Sequence, residues 1–267
     1  MRILFIGDVV GSPGRGILRE HLPWLKRRYA PDVMIANGEN LAGGLGATPQ
    51  LIREITTYGV QIVTMGNHTW KRPELLKGIG LLDNVVLPAN YPPDSPGAKS
   101  IVYDVGDGRR AGIFNLVGRI FMENNDCPFR AGLEVAEQLR AQTPVVILDM
   151  HAEATSEKMA MGWYLDGKVS AVLGSHTHVQ TADERILPQG TAYITDVGMT
   201  GSHDSIIGMK SEQVLTRFIT GIPSRFEVAE ENLWLHGVVV DIDDITGRAV
   251  GIERISQHFD QLNSEGK

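Results

Sequence analysis

Several short apolar runs in this sequence end abruptly in side chains that can bind metal ions. Gly7-Asp8 follows Ile3–Ile6, and Asn37-Gly38-Glu39-Asn40 follows Val33–Ala36. Gly66-Asn67-His68 follows Ile62–Met65, and Asp149-Met150-His151 follows Val145–Leu148. Gly174-Ser175-His176-Thr177-His178 follows Val169–Leu173. Carboxylate, amide and imidazole donors suit iron, manganese or zinc, and the lack of cysteine among them disfavours a structural zinc site. Each residue has an ordinary reading when taken alone. Asp8 could cap a helix, Glu39-Asn40 could be loop polarity, Asn67 could hold a turn, and His151 could be a core or surface histidine. Recurrence at the ends of run after run is what a polynuclear metal site needs. His176 and His178, two residues apart, would share one face of an extended strand. Glycine ahead of these ligands lets the backbone turn sharply and approach an ion.

Elements of α/β type must position them. In an open α/β sheet, ligands bind outside the carboxyl ends of the strands, which is where these motifs fall. Between the first two runs, Ile17, Leu18, Leu22 and Leu25 recur at helical spacing, predicting a helix from Pro13 to about Tyr29. Thr48 as N-cap and Pro49 at the first position open a second helix. Val85–Ala89 reads as a further strand and 92–97 as a loop. Ser100–Val105 and Ala111–Val117 form a hairpin around Gly106-Asp107-Gly108. Phe129–Ala141 is a helix and Ala192–Thr195 a strand. Leu235–Ile242 and Ala249–Ile255 make another hairpin, around Thr246-Gly247. Trp24 and Met34 look like core. Residues 199–233, with a helix-like stretch at Glu212–Ile219, read equally as a mobile flap over a site or as ordinary loop packing. No repeat or linker is visible, so residues 1–267 are expected to form a single layered α/β domain with antiparallel additions.

The ordered series Gly7-Asp8, Gly38-Glu39-Asn40, Gly66-Asn67-His68, His151 and Gly174-Ser175-His176-Thr177-His178 resembles the calcineurin-like metallophosphoesterases over most of the chain. Gly-Asn-His and the terminal His-x-His are its most specific parts. Asp8-Val9-Val10 lacks the histidine of the family's usual Asp-x-His, and Glu39 stands where a bridging Asp is usual. Asn40 follows directly and could replace the missing ligand. These departures are similar to the bacterial YmdB-like branch. The resemblance implies an α/β/β/α sandwich and two metal ions, iron or manganese. Asp8, Asn40 and His178 would serve one ion, Asn67, His151 and His176 the other, and Glu39 would bridge both. Two ions about 3.5–4 Å apart can share a hydroxide and clamp phosphate oxygens during in-line displacement. His68, beside a ligand, would protonate the leaving oxygen as general acid. The substrate implied is a small phosphodiester, a 2',3'-cyclic nucleotide.

The residues themselves leave other functions open: a phosphomonoesterase, a nucleotide-binding regulatory module, or a metal site used for signalling. Gly7-Asp8-Val9-Val10-Gly11 lacks the full dinucleotide fingerprint, and the regulatory reading leaves the histidines unexplained. Asp149 and Asp196 could orient ligand histidines or serve as caps. Glu153, Thr155 and His203 are weaker candidates near the motifs. His21, His236 and His258 lie outside them and carry no assigned role.

Composition narrows the partners. The chain has 267 residues, 42% hydrophobic, with a net charge of -7. That balance excludes a large basic surface for gripping long nucleic acid duplexes and favours a small phosphoester substrate. Cys127 stands alone, so no intramolecular disulfide forms, as suits a reducing compartment. The opening apolar run, Met1–Ile6, is too short for a signal peptide or a membrane span. The expectation is a cytoplasmic protein free of the membrane, with homo-oligomer formation left open.

Overall fold

The computed structural model describes residues 1–260. In chain order the elements are β1 (Arg2–Ile6), β2 (Asp8–Val9), α1 (Gly11–Tyr29), β3 (Val33–Asn37), α2 (Pro49–Tyr58), β4 (Ile62–Thr64), α3 (Pro73–Gly78) and β5 (Val85–Val86). There follow β6 (Ser100–Gly106), β7 (Arg109–Val117), α4 (Pro128–Arg140), β8 (Val145–His151), α5 (Thr155–Tyr164), β9 (Ala171–Ser175), β10 (Arg185–Ile186) and β11 (Ala192–Ile194). The last are β12 (Met199–Ser202), α6 (Ser211–Thr220), β13 (Leu233–Ile242) and β14 (Ala249–His258).

Two sheets result. One runs β2-β12-β13-β1-β3-β4-β5, with β14 paired to β13; the other runs β10-β11-β9-β8-β7-β6. β1, β3, β4 and β5 are mutually parallel, and so are β7, β8, β9 and β11. The period-2 alternation of strand side chains explains the layering. Ile3 and Phe5 of β1 join Val33, Ile35, Ile113, Ile147 and Leu173 in a core between the sheets. Leu4 and Ile6 point the other way and pack against Ile17, Leu18, Leu22 and Leu25 of α1 and Ile52 and Ile55 of α2. On the far side, Phe114, Leu116, Val146 and Leu148 meet Ala136 and Leu139 of α4 and Met161 and Leu165 of α5. The result is the expected α/β/β/α sandwich. Runs such as β3 and β8, buried on both faces, are apolar throughout until they reach their last residues.

Local signals behave as read. The Thr48 hydroxyl accepts from the Leu51 N–H at 3.3 Å, with Pro49 at the first helical position. The difference in β8 matters for function: it continues through His151 instead of stopping at Leu148, so Asp149 and His151 are strand residues. α5 is not visible in the sequence, because its buried positions include Glu157 and Lys158, which break the apolar periodicity. Residues 199–233 contain β12 and α6, and Met209 bridges both Ile206 and Val228. Among the described residues no helix is long and apolar enough to cross a membrane.

Both sheets bring their parallel carboxyl ends to one edge of the sandwich. Asn37 Nδ2 at the end of β3 donates to Asp149 Oδ2 of β8 at 3.0 Å, and the Thr64 hydroxyl of β4 donates to the same oxygen at 2.6 Å.

Candidate metal centre

Every candidate ligand named from the sequence lies at this shared edge. Glu39 Oε1 is the hub. It sits 3.4 Å from Asn40 Nδ2 and 3.2 Å from His151 Nε2. On one side, Asn40 Nδ2 lies 3.5 Å from Asp8 Oδ1 and 3.1 Å from His178 Nε2. On the other, His151 Nε2 lies 2.9 Å from Asn67 Oδ1 and 3.1 Å from His176 Nδ1. The donors therefore form two groups that share one carboxylate oxygen. Asp8, Glu39, Asn40 and His151 are buried, while Asn67, His176 and His178 are partly open.

Each histidine presents one ring nitrogen to the centre and has the other held from outside. His151 Nδ1 lies 2.9 Å from Ser175 Oγ, whose hydroxyl donates to Asp149 Oδ1 at 2.5 Å. His176 Nε2 lies 3.0 Å from Glu153 Oε2. His178 Nδ1 donates to the Ile207 carbonyl at 3.0 Å. Such outer partners fix ring tautomer and orientation in metal sites. Asp149 and Glu153 stand out in the sequence, but Ser175 and the Ile207 carbonyl do not. A backbone acceptor has no residue-type signal.

The His-x-His segment departs from the sequence reading. β9 ends at Ser175, so His176 and His178 do not share a strand face; they stand at φ 99° and φ 67°. Left-handed backbone in residues other than glycine costs energy and persists only where the surroundings enforce it. Thr177 between them supplies that constraint. Its N–H and hydroxyl both donate to Asp196 Oδ2, at 3.1 and 2.8 Å, and the Asp196 carboxylate is paired with buried Lys158 at 2.6 Å.

The glycines serve close approach and not turning, since Gly7, Gly38, Gly66 and Gly174 all lack positive φ. A β-carbon on Gly174 would overlap the Thr195 carbonyl, and one on Gly7 the Gly198 carbonyl. A β-carbon on Gly66 would overlap both Glu39 Oε2 and His151 Nε2, filling the middle of the donor cluster.

The electrostatics follow from burial of opposed groups. Burial pushes Glu39 up, but His151 and His68 outweigh it and hold the carboxyl well below the ordinary carboxylate range. Burial pushes Asp8 up. It pushes Asp149 up to about 6, against the pull of His151, Ser175 and Thr64. It would depress His151 too, yet Glu39, Asp8 and Asp149 raise that ring to about 9. His176, buried beside His151, falls to about 3. The buried carboxylates demand positive charge. A proton on His151 and the polar hydrogens of the Asn40 amide supply it on the two sides of Glu39, and cations placed there would displace that proton. Glu39, His151 and His176 bring ligand atoms within 4.8 Å of one another. The donor set, the outward-tethered imidazoles and the cradle kept open by Gly66 together fit metal ions.

A groove of about 1270 Å³ opens over the cluster, lined by Glu39, Asn40, His68, His176 and His178 and roofed by Ile207, Met209 and residues 224–228. The 199–233 segment is thus a wall of the site.

The model of the YmdB-like protein family matches residues 4–255. The chain belongs to that family. It is 52% identical over 262 residues to the 2',3'-cyclic-nucleotide 2'-phosphodiesterase of Bacillus subtilis (strain 168), covering 98% of this chain and 99% of that protein. A hypothetical protein from Thermus thermophilus superimposes with a TM-score of 0.90 at 43% identity, over 97% of this chain and 99% of that one. A novel phosphatase from Mycoplasma pneumoniae gives a TM-score of 0.90 at 35% identity, over 97% and 93% of the two chains.

Proposed function

We propose that this protein is a metal-dependent phosphodiesterase of small diesters, with 2',3'-cyclic nucleotides as its substrates, and that it works in the cytoplasm. The observation that carries the reading is the sharing of Glu39 Oε1 between two donor groups, in a chain half identical to a cyclic-nucleotide phosphodiesterase. Asp8, Asn40 and His178 would hold one ion, Asn67, His151 and His176 the second, and Glu39 both; iron or manganese suits these oxygen and nitrogen donors. Asn40 would serve the first ion through its amide oxygen, which a half-turn of the amide would bring to the centre. When bound, the ions supply charge neutralisation for the phosphate and activation of the attacking water.

The chain's own contribution to bond breaking falls to His68. Its N–H donates to Glu39 Oε2 at 2.9 Å, which fixes the backbone against the bridging carboxylate. Its ring Nδ1 lies 2.7 Å from Asn40 Oδ1 and 3.1 Å from Glu39 Oε1. A carboxylate oxygen only accepts, so Nδ1 carries hydrogen toward Glu39 Oε1 whichever way the Asn40 amide is turned, and Nε2 is the atom left for substrate in the groove. With both nitrogens protonated, the ring has Glu39 beside it to balance its charge. Opening a cyclic nucleotide expels a ribose oxygen, which needs a proton as it leaves.

Elemental analysis of the purified protein, combined with turnover of 2',3'-cyclic AMP, tests the reading. We expect two metals per chain, loss of turnover on chelation, and recovery with manganese or iron. Full turnover by thoroughly demetallated protein would overturn it. A panel of monoesters beside the diesters decides against the phosphomonoesterase alternative, which the phosphatase from Mycoplasma pneumoniae keeps relevant. His68→Ala, with metal content intact, should lose roughly 10²–10⁴-fold on the cyclic nucleotide. It should lose far less on a nitrophenyl ester, whose leaving group departs nearly unaided. Equal losses would remove His68 from the mechanism and leave the metal assignment standing.

A further inference from the structure

Next to the metal edge lies a second concavity, of about 530 Å³, within the range of pockets that hold small organic ligands. It touches the centre at one residue: Asn67 lines it, together with Trp70, Leu76, Tyr91, Ser95 and Pro96. Its walls come from the loop after β4, from α3, from the loop after β5 and, at Glu123 and Asn125, from the loop after β7. The two grooves differ in chemistry. The one over the metal cluster is lined by charged side chains, among them Arg72, Glu153, Lys210 and Glu227. The one beyond Asn67 has two aromatic rings, two prolines and a leucine, beside the paired Lys71 and Glu123 and the Asn125 amide.

Its apolar walls are held in place. The Tyr91 hydroxyl donates to the Gly66 carbonyl at 2.8 Å, and the Lys99 ammonium lies 5.4 Å from the centre of the Tyr91 ring. Trp70 packs its partly buried ring against the α1–α2 core. Leu76 stays 55% exposed on the wall, an apolar side chain with no protein surface to cover it. Ser95 Oγ is buried with no hydrogen-bond partner among the described residues. An aromatic and aliphatic slot with an amide on its wall suits a flat heteroaromatic ring with polar edges. The slot's one lysine, Lys71, is already paired with Glu123 at 3.4 Å, which makes it a poor phosphate site.

We propose that this concavity is the nucleobase subsite of the enzyme. The inference rests on the phosphodiesterase reading above. A cyclic nucleotide has one ribose between phosphorus and base, so a phosphate against Asn67 and its partners places the base in an adjoining space. Trp70 and Tyr91 offer it ring surfaces, and the half-buried Asn125 amide on the same wall offers polar atoms to its edge. Stacking on aromatic side chains tolerates any base, because every base has a π face.

The test compares two five-membered cyclic phosphates on the metal-loaded enzyme: 2',3'-cyclic AMP, and base-free glycerol 1,2-cyclic phosphate. Trp70→Ala should lower kcat/KM on the nucleotide about ten-fold or more, mainly through KM, and leave the base-free substrate unchanged. Trp70→Phe should recover most of the loss. Leu76→Glu, at an exposed position that tolerates substitution, should show the same selectivity should Trp70→Ala fail to fold. Parallel losses on both substrates, or no loss on the nucleotide, would overturn the subsite while the phosphodiesterase reading survives. Turnover of neither substrate by the unsubstituted enzyme would overturn the phosphodiesterase reading and this subsite with it.

Discussion

Two buried aspartates stand behind the candidate metal ligands, and they are compensated in opposite ways. Asp196 is fully buried, and its Oδ2 meets the ammonium of Lys158 at 2.6 Å. Asp149 is equally buried, but the groups that donate to it are the neutral Ser175, Thr64 and Asn37. The first carries its own counter-charge and holds a loop. The second depends on charge in the metal centre, through Ser175 and His151, and its carboxyl sits high, at about 6. A buried aspartate with a lysine is a structural clamp whether or not ions are bound. One without a lysine costs stability that the ligands it orients must justify.

The same conservative change should therefore act with opposite sign at the two sites. The larger effect belongs to Asp196→Asn. It leaves the Lys158 ammonium, 1% exposed, without its carboxylate. Breaking a buried pair by removing one partner typically costs about 3–5 kcal/mol. We expect that loss in denaturant unfolding with and without chelator, and partial recovery in Asp196→Asn combined with Lys158→Met. Unchanged stability in the single variant would show that the pair does not govern this loop.

Asp149→Asn should stabilise the metal-free protein. A carboxyl raised from 3.8 to about 6 is disfavoured in its ionised form by folding. The cost is absent below the unfolded value and complete above the folded one, so at pH 7 it is fully present. At about 1.4 kcal/mol per unit, removing it gains up to about 3 kcal/mol. Metal affinity should move the other way. Asp149 accepts the Ser175 hydroxyl, which leaves Ser175 to accept from His151 Nδ1–H and keeps Nε2 free for an ion. An asparagine nitrogen at Oδ1 would donate to Ser175, turn the hydroxyl toward Nδ1, and place the proton on Nε2. Loss of such an outer partner costs about 10–100-fold in affinity. Titration of the apo protein with manganese and its unfolding at pH 7 check both halves. A variant that is less stable and equally avid for metal would break the comparison.

The contrast also explains what is legible in the sequence. Asp8, Glu39, Asn40, Asn67 and His151 each end a run of apolar residues, a local pattern set by strands buried on both faces. The layered fold follows from the same runs. Asp149 and Asp196 are visible as polar residues beside motifs, but their different roles are not. Lys158 lies on a helix with buried Glu157 and Lys158, and a lysine at such a position reads as solvent-facing until its partner, 38 residues away, is known. The orientation of His176 and His178 escapes the sequence because spacing implies a strand face, whereas the chain leaves β9 at Ser175 and turns through left-handed conformations. Non-local pairing and backbone strain have no spacing signature.

The smallest effect separates the two aspartates most cleanly. Thr177→Val keeps the side-chain shape and the N–H bond to Asp196 at 3.1 Å, and deletes the hydroxyl bond at 2.8 Å. One such bond is worth about 0.5–1.5 kcal/mol. Its loss relaxes the segment that holds both His176 and His178 at positive φ. His178 faces Asp8 and Asn40, while His176 faces His151, so one loosened residue touches both donor groups. On the two-ion proposal, we expect affinity for both ions to fall a few-fold and together, in keeping with about 1 kcal/mol shared across the loop. Asp149→Asn acts through His151 alone and should weaken chiefly the ion on that side. Stepwise metal titration followed by calorimetry resolves the two events. If Thr177→Val weakened one ion and spared the other, the Asp196 clamp would be holding a single histidine, and the division of labour between the two aspartates would have to be redrawn.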